Sequence, residues 1–433
     1  MTPEIEKRIK AVQAGRVPAG YKKTKVGIVP KEWDVCQLSN YLVINNEKNV
    51  DDLYTIDDVF SVSGEYGVVN QIEFMGRSYA GESLSGYRVV YPNDIVYTKS
   101  PLKSNPYGIV KANRTDKSGI VSVLYSIYHC KENVLPYYVE LYFALDVNLN
   151  NYLRPLVNIG PKRNMLINDI HVLDGFVPFP VLAEQKRIAE ILITQNRVIK
   201  LKEKLIAEKQ KQKKYLMRVL LGDSFKSSFK LNGEIINKKK WKKIKINSVL
   251  KKVDKPVIVD KNTQYTQIGI YSHGKGLFYK EPVTGKELGN KSVFWIEPNC
   301  FILNIVFAWE QALAKTTEKE KGLIASHRFP MFKPIDNLID IDYAVYYFLT
   351  KKGTYILDAA SPGGAGRNRT LGQDRFLESK MTLPTLPEQK AIADVLSTAD
   401  EEISLLQKSL EQEKLKKKSL MQLLLTGLVR VNE

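Results

Sequence analysis

The chain has 433 residues, 44% of them hydrophobic, a size at which two domains are expected. Lys and Arg outnumber Asp and Glu by 65 to 47, and the formal net charge of +18 favours a polyanionic partner. No apolar stretch reaches the length of a membrane span and no signal-peptide pattern follows Met1, so we expect no membrane association. Only three cysteines occur, Cys36, Cys130 and Cys300, and their wide spacing predicts buried thiols in a cytoplasmic protein.

Residues 1–20 are expected to form a short N-terminal segment. The sequence pattern of residues 21–180 predicts a mixed α/β domain. Runs of β-branched and aromatic residues alternate with turn residues, as in residues 87–91 before Pro92-Asn93-Asp94. The aromatic run at residues 137–143 predicts a helix late in this domain.

Residues 181–222 predict a long helix. Pro178 and Pro180 precede it, Glu184 lies in its first turn, and Gly222 closes it. An apolar seam recurs at heptad spacing and is interrupted by Gln195 and Lys202, with broader apolar cover from Val198, Leu201 and Leu205. The seam residues are Ile188, Leu192, Ile199 and Ile206.

Basic residues are concentrated in two stretches. Residues 197–218 contain nine Lys or Arg against Glu203 and Glu208, and six lysines surround Trp241 within residues 238–245. Either stretch alone is compatible with a solvated helix face or an exposed linker. Together with the charge of the whole chain they favour nucleic acid, and the lack of a strongly apolar face beside the lysines argues against a membrane surface.

The second half of the chain repeats the first at an offset of 204 residues. Residues 223–384 predict a second α/β domain, and residues 385–433 a second helical segment. Between residues 181–221 and 385–425, 17 of 41 positions are identical. The second seam steps alternately by four and three residues, through Ile392, Leu396, Ala399, Ile403, Leu406 and Leu410. Each helix has one apolar face, so we expect the two copies to pack against each other.

Candidate nucleic-acid contacts come from a second match at the same offset. Gly160-Pro-Lys162-Arg163-Asn164 aligns with Gly364-Ala-Gly366-Arg367-Asn368, which is followed by Arg369. Arginine suits phosphate or guanine and asparagine suits adenine, although a turn capped by asparagine explains the pattern equally well. Further basic candidates lie in the predicted loops: Arg77, Lys99, Lys103, Lys275 and Arg328.

Patterns typical of catalysis are weak. Residues 363–366 are glycine-rich but lack the lysine of a P-loop, and Asn105-Pro106-Tyr107 lacks the second proline of an aminomethyltransferase motif. Glu184-Gln-Lys186 and Glu388-Gln-Lys390 resemble a nuclease motif in spacing, but both are predicted to open helices. The four histidines have no metal-ligand spacing. These observations favour a binding protein without a catalytic or metal site.

The duplicated helix start, Leu-Ala/Pro-Glu-Gln-Lys-x-Ile-Ala, resembles that of specificity subunits of type I restriction-modification systems. Residues 27–33 resemble the start of the first target-recognition domain in that family, and residues 240–246 its counterpart in the second. Ala183 replaces the usual proline, and the segment before Trp241 lacks the Gly-x-Ile-Pro pattern.

The resemblance implies an α+β protein with two α/β target-recognition domains, separated by two long antiparallel helices with internal pseudo-two-fold symmetry. Such a subunit reads an asymmetric bipartite site on double-stranded DNA and has no cofactor of its own. Two methylation subunits would supply adenine-N6 methylation with S-adenosylmethionine, and motor-nuclease subunits would use ATP and Mg. Residues expected at the helix-pairing or subunit interface are Glu184, Gln185, Ile188, Leu192, Ile199, Ile206, Glu388, Gln389, Ile392, Leu396, Ile403 and Leu410.

Three alternatives remain open at this point. The partner could fuse methylation and cleavage in one chain, the protein could be a stand-alone DNA nuclease or methyltransferase, or it could be a coiled-coil scaffold without DNA specificity. Neither the recognised bases nor the spacer length follows from the sequence.

Overall fold

The computed structural model describes residues 2–99, 105–159, 165–222, 228–289, 291–363 and 369–431. Its internal contacts divide the chain into two compact units. Unit 1 comprises residues 1–202 and 409–433, and unit 2 comprises residues 203–408. This division differs from the five consecutive segments expected from the sequence, because each long helix contributes one part to each unit.

Unit 1 begins with a helix that the sequence analysis did not predict. Helix α1, Pro3–Gln13, has proline in its first turn together with Glu4 and Glu6, and its N-terminus is capped by the side chain of Thr2. None of its residues is buried. The other helices of unit 1 are α2 (Gln71–Met75), α3 (Pro136–Phe143), α4 (Asp146–Leu153) and the first part of α5 (Leu182–Leu221).

The strands of unit 1 are short, and they pair antiparallel. They are β1 (Tyr21–Thr24), β2 (Gly27–Pro30), β3 (Asp34–Gln37), β4 (Leu42–Asn45), β5 (Phe60–Ser63), β6 (Gly67–Asn70), β7 (Arg88–Val90), β8 (Ile95–Thr98), β9 (Val110–Ala112), β10 (Gly119–Val121), β11 (Tyr125–Cys130), β12 (Asn158–Ile159), β13 (Met165–Leu166) and β14 (Phe176–Phe179).

The main sheet of unit 1 has the order β4-β11-β8-β9. Every residue of β8 is buried, as expected for a central strand that is covered on both faces. Helix α3 packs against β8 and β9 and presents Tyr138, which is fully buried with Trp33 and Phe179 in the core. The helix predicted at residues 137–143 is therefore the core element that covers this sheet.

Unit 2 repeats this architecture. Its helices are α6 (Gly285–Leu288), α7 (Ile341–Phe348), α8 (Lys351–Ala359), α9 (Gln373–Glu378) and part of α10 (Leu386–Leu425), besides the second part of α5. Its strands are β15 (Ser228–Leu231), β16 (Glu234–Asn237), β17 (Lys242–Lys245), β18 (Leu250–Val253), β19 (Gln264–Tyr265), β20 (Ile268–Ile270), β21 (Leu277–Tyr279), β22 (Val283–Thr284), β23 (Val293–Trp295), β24 (Phe301–Leu303), β25 (Leu313–Lys315), β26 (Ile324–Ser326), β27 (Met331–Pro334) and β28 (Lys380–Leu383).

The main sheet of unit 2 has the order β18-β27-β24-β25, which corresponds strand for strand to the sheet of unit 1. Helix α7 packs on β24 and β25, and the core is built around Phe301, Phe332, Phe348 and Phe376. Residues 119–122 and 322–325 have similar sequences and lie at β10 and β26. These strands pair with β7 and β23, respectively. The repeat therefore extends from the helices into the sheets.

The two long helices have equal length and equal register. Each has 40 residues, so each extends for about 60 Å at 1.5 Å per residue. Gly427 follows α10 with φ +71, a left-handed conformation that favours glycine at a helix C-terminus. No helix in the described part of the chain is long and apolar enough to cross a membrane.

Candidate nucleic-acid interface

A carboxylate holds two cations beside the central strands of unit 1. Arg88, the first residue of β7, donates to Asp169, and Lys99 Nζ, just after β8, lies 2.5 Å from Asp169 Oδ1. Ser126 on β11 donates its hydroxyl to the same oxygen at 2.7 Å. Desolvation opposes ionisation of this carboxyl group, but the hydrogen bonds from Lys99, Ser126 and Arg88 outweigh it and lower the pKa of Asp169. The cluster therefore has one carboxylate and two cations.

Lys99 is a candidate from the sequence alone, whereas Arg88, Ser126 and Asp169 are not. Ser126 and Asp169 are 43 residues apart, and Arg88 and Asp169 are 81 residues apart. These side chains are close together only in the folded structure, where they lie at or near β7, β8 and β11. No periodic pattern in the sequence predicts that they are neighbours.

Unit 2 carries a different arrangement. Arg369 Nη1 donates to Asp358 Oδ1 at 2.6 Å, and its guanidinium carbon lies 5.6 Å from the ring centre of Trp309. About a third of the Arg369 side chain and half of the Asp358 side chain remain exposed. Stacking on the indole ring and pairing with Asp358 restrict the orientation of the Arg369 guanidinium. Some of its N–H donors still face solvent.

Three other predicted candidates are exposed. Arg77 lies over the ring of Tyr79 at 4.7 Å, Lys275 lies between β20 and β21, and Arg328 follows β26. The remaining predicted candidates lie outside the described residues: Lys103, Lys162, Arg163, Asn164, Arg367 and Asn368.

The surroundings of Arg77 do not favour a phosphate contact. Residues 46–87 contain eight Asp or Glu but only two basic residues, Lys48 and Arg77. The corresponding stretch of unit 2, residues 254–292, contains four acidic and six basic residues. Because like charges repel, a contact with DNA phosphates is less favourable at Arg77 than at Lys275.

The Glu-Gln pair at each helix start makes hydrogen bonds within its own unit. Glu184 accepts a hydrogen bond from Trp33 Nε1 at 3.1 Å and two from Arg430 at 2.7 and 2.8 Å. These contacts raise the pKa of the Arg430 guanidinium above its ordinary value. Gln185 accepts from the backbone of Leu135 at 2.9 Å and donates to Pro180 at 2.9 Å.

The second pair repeats these contacts in unit 2. Glu388 accepts from the backbone of Asn237 at 2.8 Å, and Gln389 accepts from the backbone of Asp340 at 2.8 Å and donates to Pro384 at 3.0 Å. Both glutamines are fully buried. Their amides satisfy backbone groups that would otherwise be orphaned at a helix start, which explains why these two residue types recur at this place.

The ends of the two helices meet antiparallel within each unit. In unit 1 Ile188 and Leu192 join the core with Leu424 and Leu425, and in unit 2 Ile392 and Leu396 join it with Leu220 and Leu221. Ile206, Ile403 and Leu410 are also buried, and Ile199 is half-buried.

Polar residues of the seam are paired, so they do not simply interrupt it. In unit 1 Gln195 donates to Glu413 Oε2 at 2.8 Å, and Lys202 Nζ lies 3.2 Å from Glu413 Oε1. In unit 2 Lys209 pairs with Glu402 at 2.6 Å. The sequence predicted that Leu201 and Leu205 would widen the apolar face of α5. Their side chains instead remain 57% and 43% exposed.

Part of the basic stretch around Trp241 has a structural role. Lys238 Nζ donates to the carbonyl groups of Val219 and Gly222 at 2.6 and 2.5 Å, which places a cation at the C-terminus of α5. Lys245 pairs with Glu378 at 2.6 Å. Both lysines therefore make their contacts within unit 2.

Among the described residues, no group of three or more His, Cys, Asp or Glu could hold a metal ion. Glu184 and Glu388 open helices and bind tryptophan or backbone groups, an arrangement unlike the nuclease motif that their spacing resembles. The side chains described here can bind and orient a polyanion.

Comparisons with known proteins agree with this geometry. The family model described as the type I restriction modification DNA specificity domain matches residues 232–415. A protein of Methanocaldococcus jannaschii, assigned as the type I restriction enzyme MjaX specificity subunit, is 26% identical over 433 residues, covering 95% of this chain and 97% of its own.

Two solved structures share the fold. The S subunit of a type I restriction-modification system from M. genitalium matches with a TM-score of 0.52 and 12% identity, covering 93% of this chain and 97% of its own. A chain from a structure described as the basis of complex assembly and conformational transition of the type I R-M system matches with a TM-score of 0.54 and 14% identity, covering 93% and 99%. The chain is thus similar to type I restriction-modification specificity proteins in two ways: a specificity-domain model matches residues 232–415, and a specificity subunit aligns along nearly its whole length.

Proposed function

We propose that this chain is the DNA-recognition subunit of a type I restriction-modification complex and that each unit reads one half of an asymmetric bipartite site. The observation that carries this proposal is a shared scaffold with different charged side chains. Both units have the same sheet order, but unit 1 presents Arg88 and Lys99 on Asp169, and unit 2 presents Arg369 on Trp309. Two readers with one fold and different donors fit two different half-sites.

The chain itself performs no chemistry in this proposal. It directs adenine-N6 methylation and restriction that its partners carry out: two methylation subunits with S-adenosylmethionine, and motor-nuclease subunits with ATP and Mg. The family match and the weak catalytic patterns support this assignment.

The test is selection by the purified full chain from a pool of randomised DNA duplexes, followed by sequencing of the bound fraction. We expect two short motifs separated by a gap of fixed length and undefined sequence. Arg369→Ala should weaken the motif read by unit 2 and leave the other intact. A pool that stays unenriched would favour the scaffold alternative, and methyl transfer to DNA by the chain alone would contradict the non-catalytic assignment.

A further inference from the structure

We propose that Asp169 is a positioning residue that aims Arg88 and Lys99 at the half-site read by unit 1. The inference deepens the proposed DNA-recognition function and rests on it. Asp169 collects three side-chain donors, from Arg88, Lys99 and Ser126, and its backbone carbonyl accepts from Tyr128 at 3.0 Å. Hydrogen bonds therefore fix Asp169 against β11 and beside the two cations.

Burial explains why the cations are oriented. The side chains of Arg88, Lys99 and Asp169 are only 19%, 20% and 12% exposed. A lysine or arginine on an open surface samples many rotamers and contacts phosphate without regard to sequence. Here one carboxylate restricts both cations, and the cluster still carries one surplus positive charge for an acceptor on DNA.

Unit 2 has no charge at the positions of this cluster, which argues against a purely structural role. Its own carboxylate with two cations, Glu297 with Lys255 and Lys333, lies elsewhere, and those lysines are 51% and 41% exposed. By strand pairing, Arg88 corresponds to Phe294 of unit 2 and Lys99 to Ile305. At the offset of 204 that relates β14 to β28, Asp169 corresponds to Gln373. The sheet of unit 2 has the same order without any of these charges. Because ion pairs with limited exposure are costly to desolvate and seldom needed for folding, their presence in one reader points to what that reader recognises.

The experiment compares the wild-type chain with Asp169→Asn in the duplex selection. Asparagine keeps an acceptor for Ser126 and removes the charge that holds the two cations. We expect the base preference within one half-site to fall about tenfold, in the range of a bidentate base contact, while the other half-site is unchanged. Affinity for random duplexes should stay within about twofold, because the cations remain. Asp174→Asn is the matched control, since Asp174 lies nearby in sequence, is half exposed and pairs with His171.

The outcomes separate this inference from the proposed function. A wild-type chain that enriches no motif would overturn both. A wild-type chain that selects two half-sites, together with an Asp169→Asn chain that selects them equally well, overturns the inference alone. Equal loss of both half-sites with a lower melting temperature would mean that Asp169 is structural. If Asp169→Asn does not fold, Lys99→Met tests the same half-site, and unchanged selection by that variant also overturns the inference.

Discussion

At the scale of single residues, Glu184 joins three parts of unit 1 through one carboxylate. It is 6% exposed and binds Trp33 and Arg430, so Glu184→Ala leaves the indole N–H without its acceptor and the guanidinium with Glu32 alone. We expect a loss of about 2 kcal/mol, which lowers the melting temperature of a unit of this size by about 6 °C. Differential scanning calorimetry measures the change, with Glu190→Ala, on the exposed face of α5, as the control. Equal melting temperatures for the two variants would contradict this role.

Cys300 permits a prediction about pH. Its thiol is fully buried at the start of β24, and desolvation raises its pKa to about 11. The thiolate is the reactive form, so native protein should resist alkylation of Cys300 at pH 8 and become reactive only as the pH approaches 11. In the unfolded chain the thiol ionises above about pH 8.5, so the stability that burial of the neutral thiol provides is lost as the pH rises through this range. Mass spectrometry after iodoacetamide treatment, with and without urea, measures the extent of Cys300 alkylation. Fast labelling without urea would be inconsistent with a buried thiol.

At the scale of elements, the helix seam of unit 1 depends on polar pairs as well as on apolar residues. Gln195 is 6% exposed and donates to both the backbone carbonyl and the side chain of Glu413. We expect Gln195→Ala to cost about 1 kcal/mol and to lower the melting temperature by about 3 °C. Gln412→Ala, at an exposed position on α10, should change it little. A higher melting temperature for Gln195→Ala would instead mean that this glutamine only interrupts the apolar seam, as expected from the sequence.

At the scale of the whole molecule, the net charge of +18 determines how DNA binding responds to salt. Each phosphate contact contributes about 0.9 to the slope of log affinity against log salt concentration, so six contacts give a slope of about −5. We expect a steep slope for random duplexes, and Asp169→Asn should not reduce it, because the substitution removes no cation. Fluorescence anisotropy titrations between 50 and 300 mM salt measure the slope. A nearly flat response would remove the electrostatic basis of the proposed function.

The sequence by itself determined the features that are local or periodic. The 204-residue offset predicted two long helices, and these begin at Leu182 and Leu386 and end at Leu221 and Leu425 with that same offset. Heptad spacing, flanking prolines and first-turn glutamates are readable because a helix relates residues only three or four positions apart. A local aromatic run likewise predicted the helix that is α3.

Only the tertiary structure decided which charged residues act together. Glu184 and Arg430 are 246 residues apart, and Arg88 and Asp169 are 81 apart. The order of the strands and the reversals of the chain determine which residues become partners. These pairs are not separated by any regular number of residues, so the sequence does not reveal them. For the same reason the hydrogen bonds that Glu184 and Gln185 make within unit 1 could not be predicted from the repeat. Asp169 can be recognised as a shared acceptor only in the folded structure, which brings Arg88, Lys99 and Ser126 together.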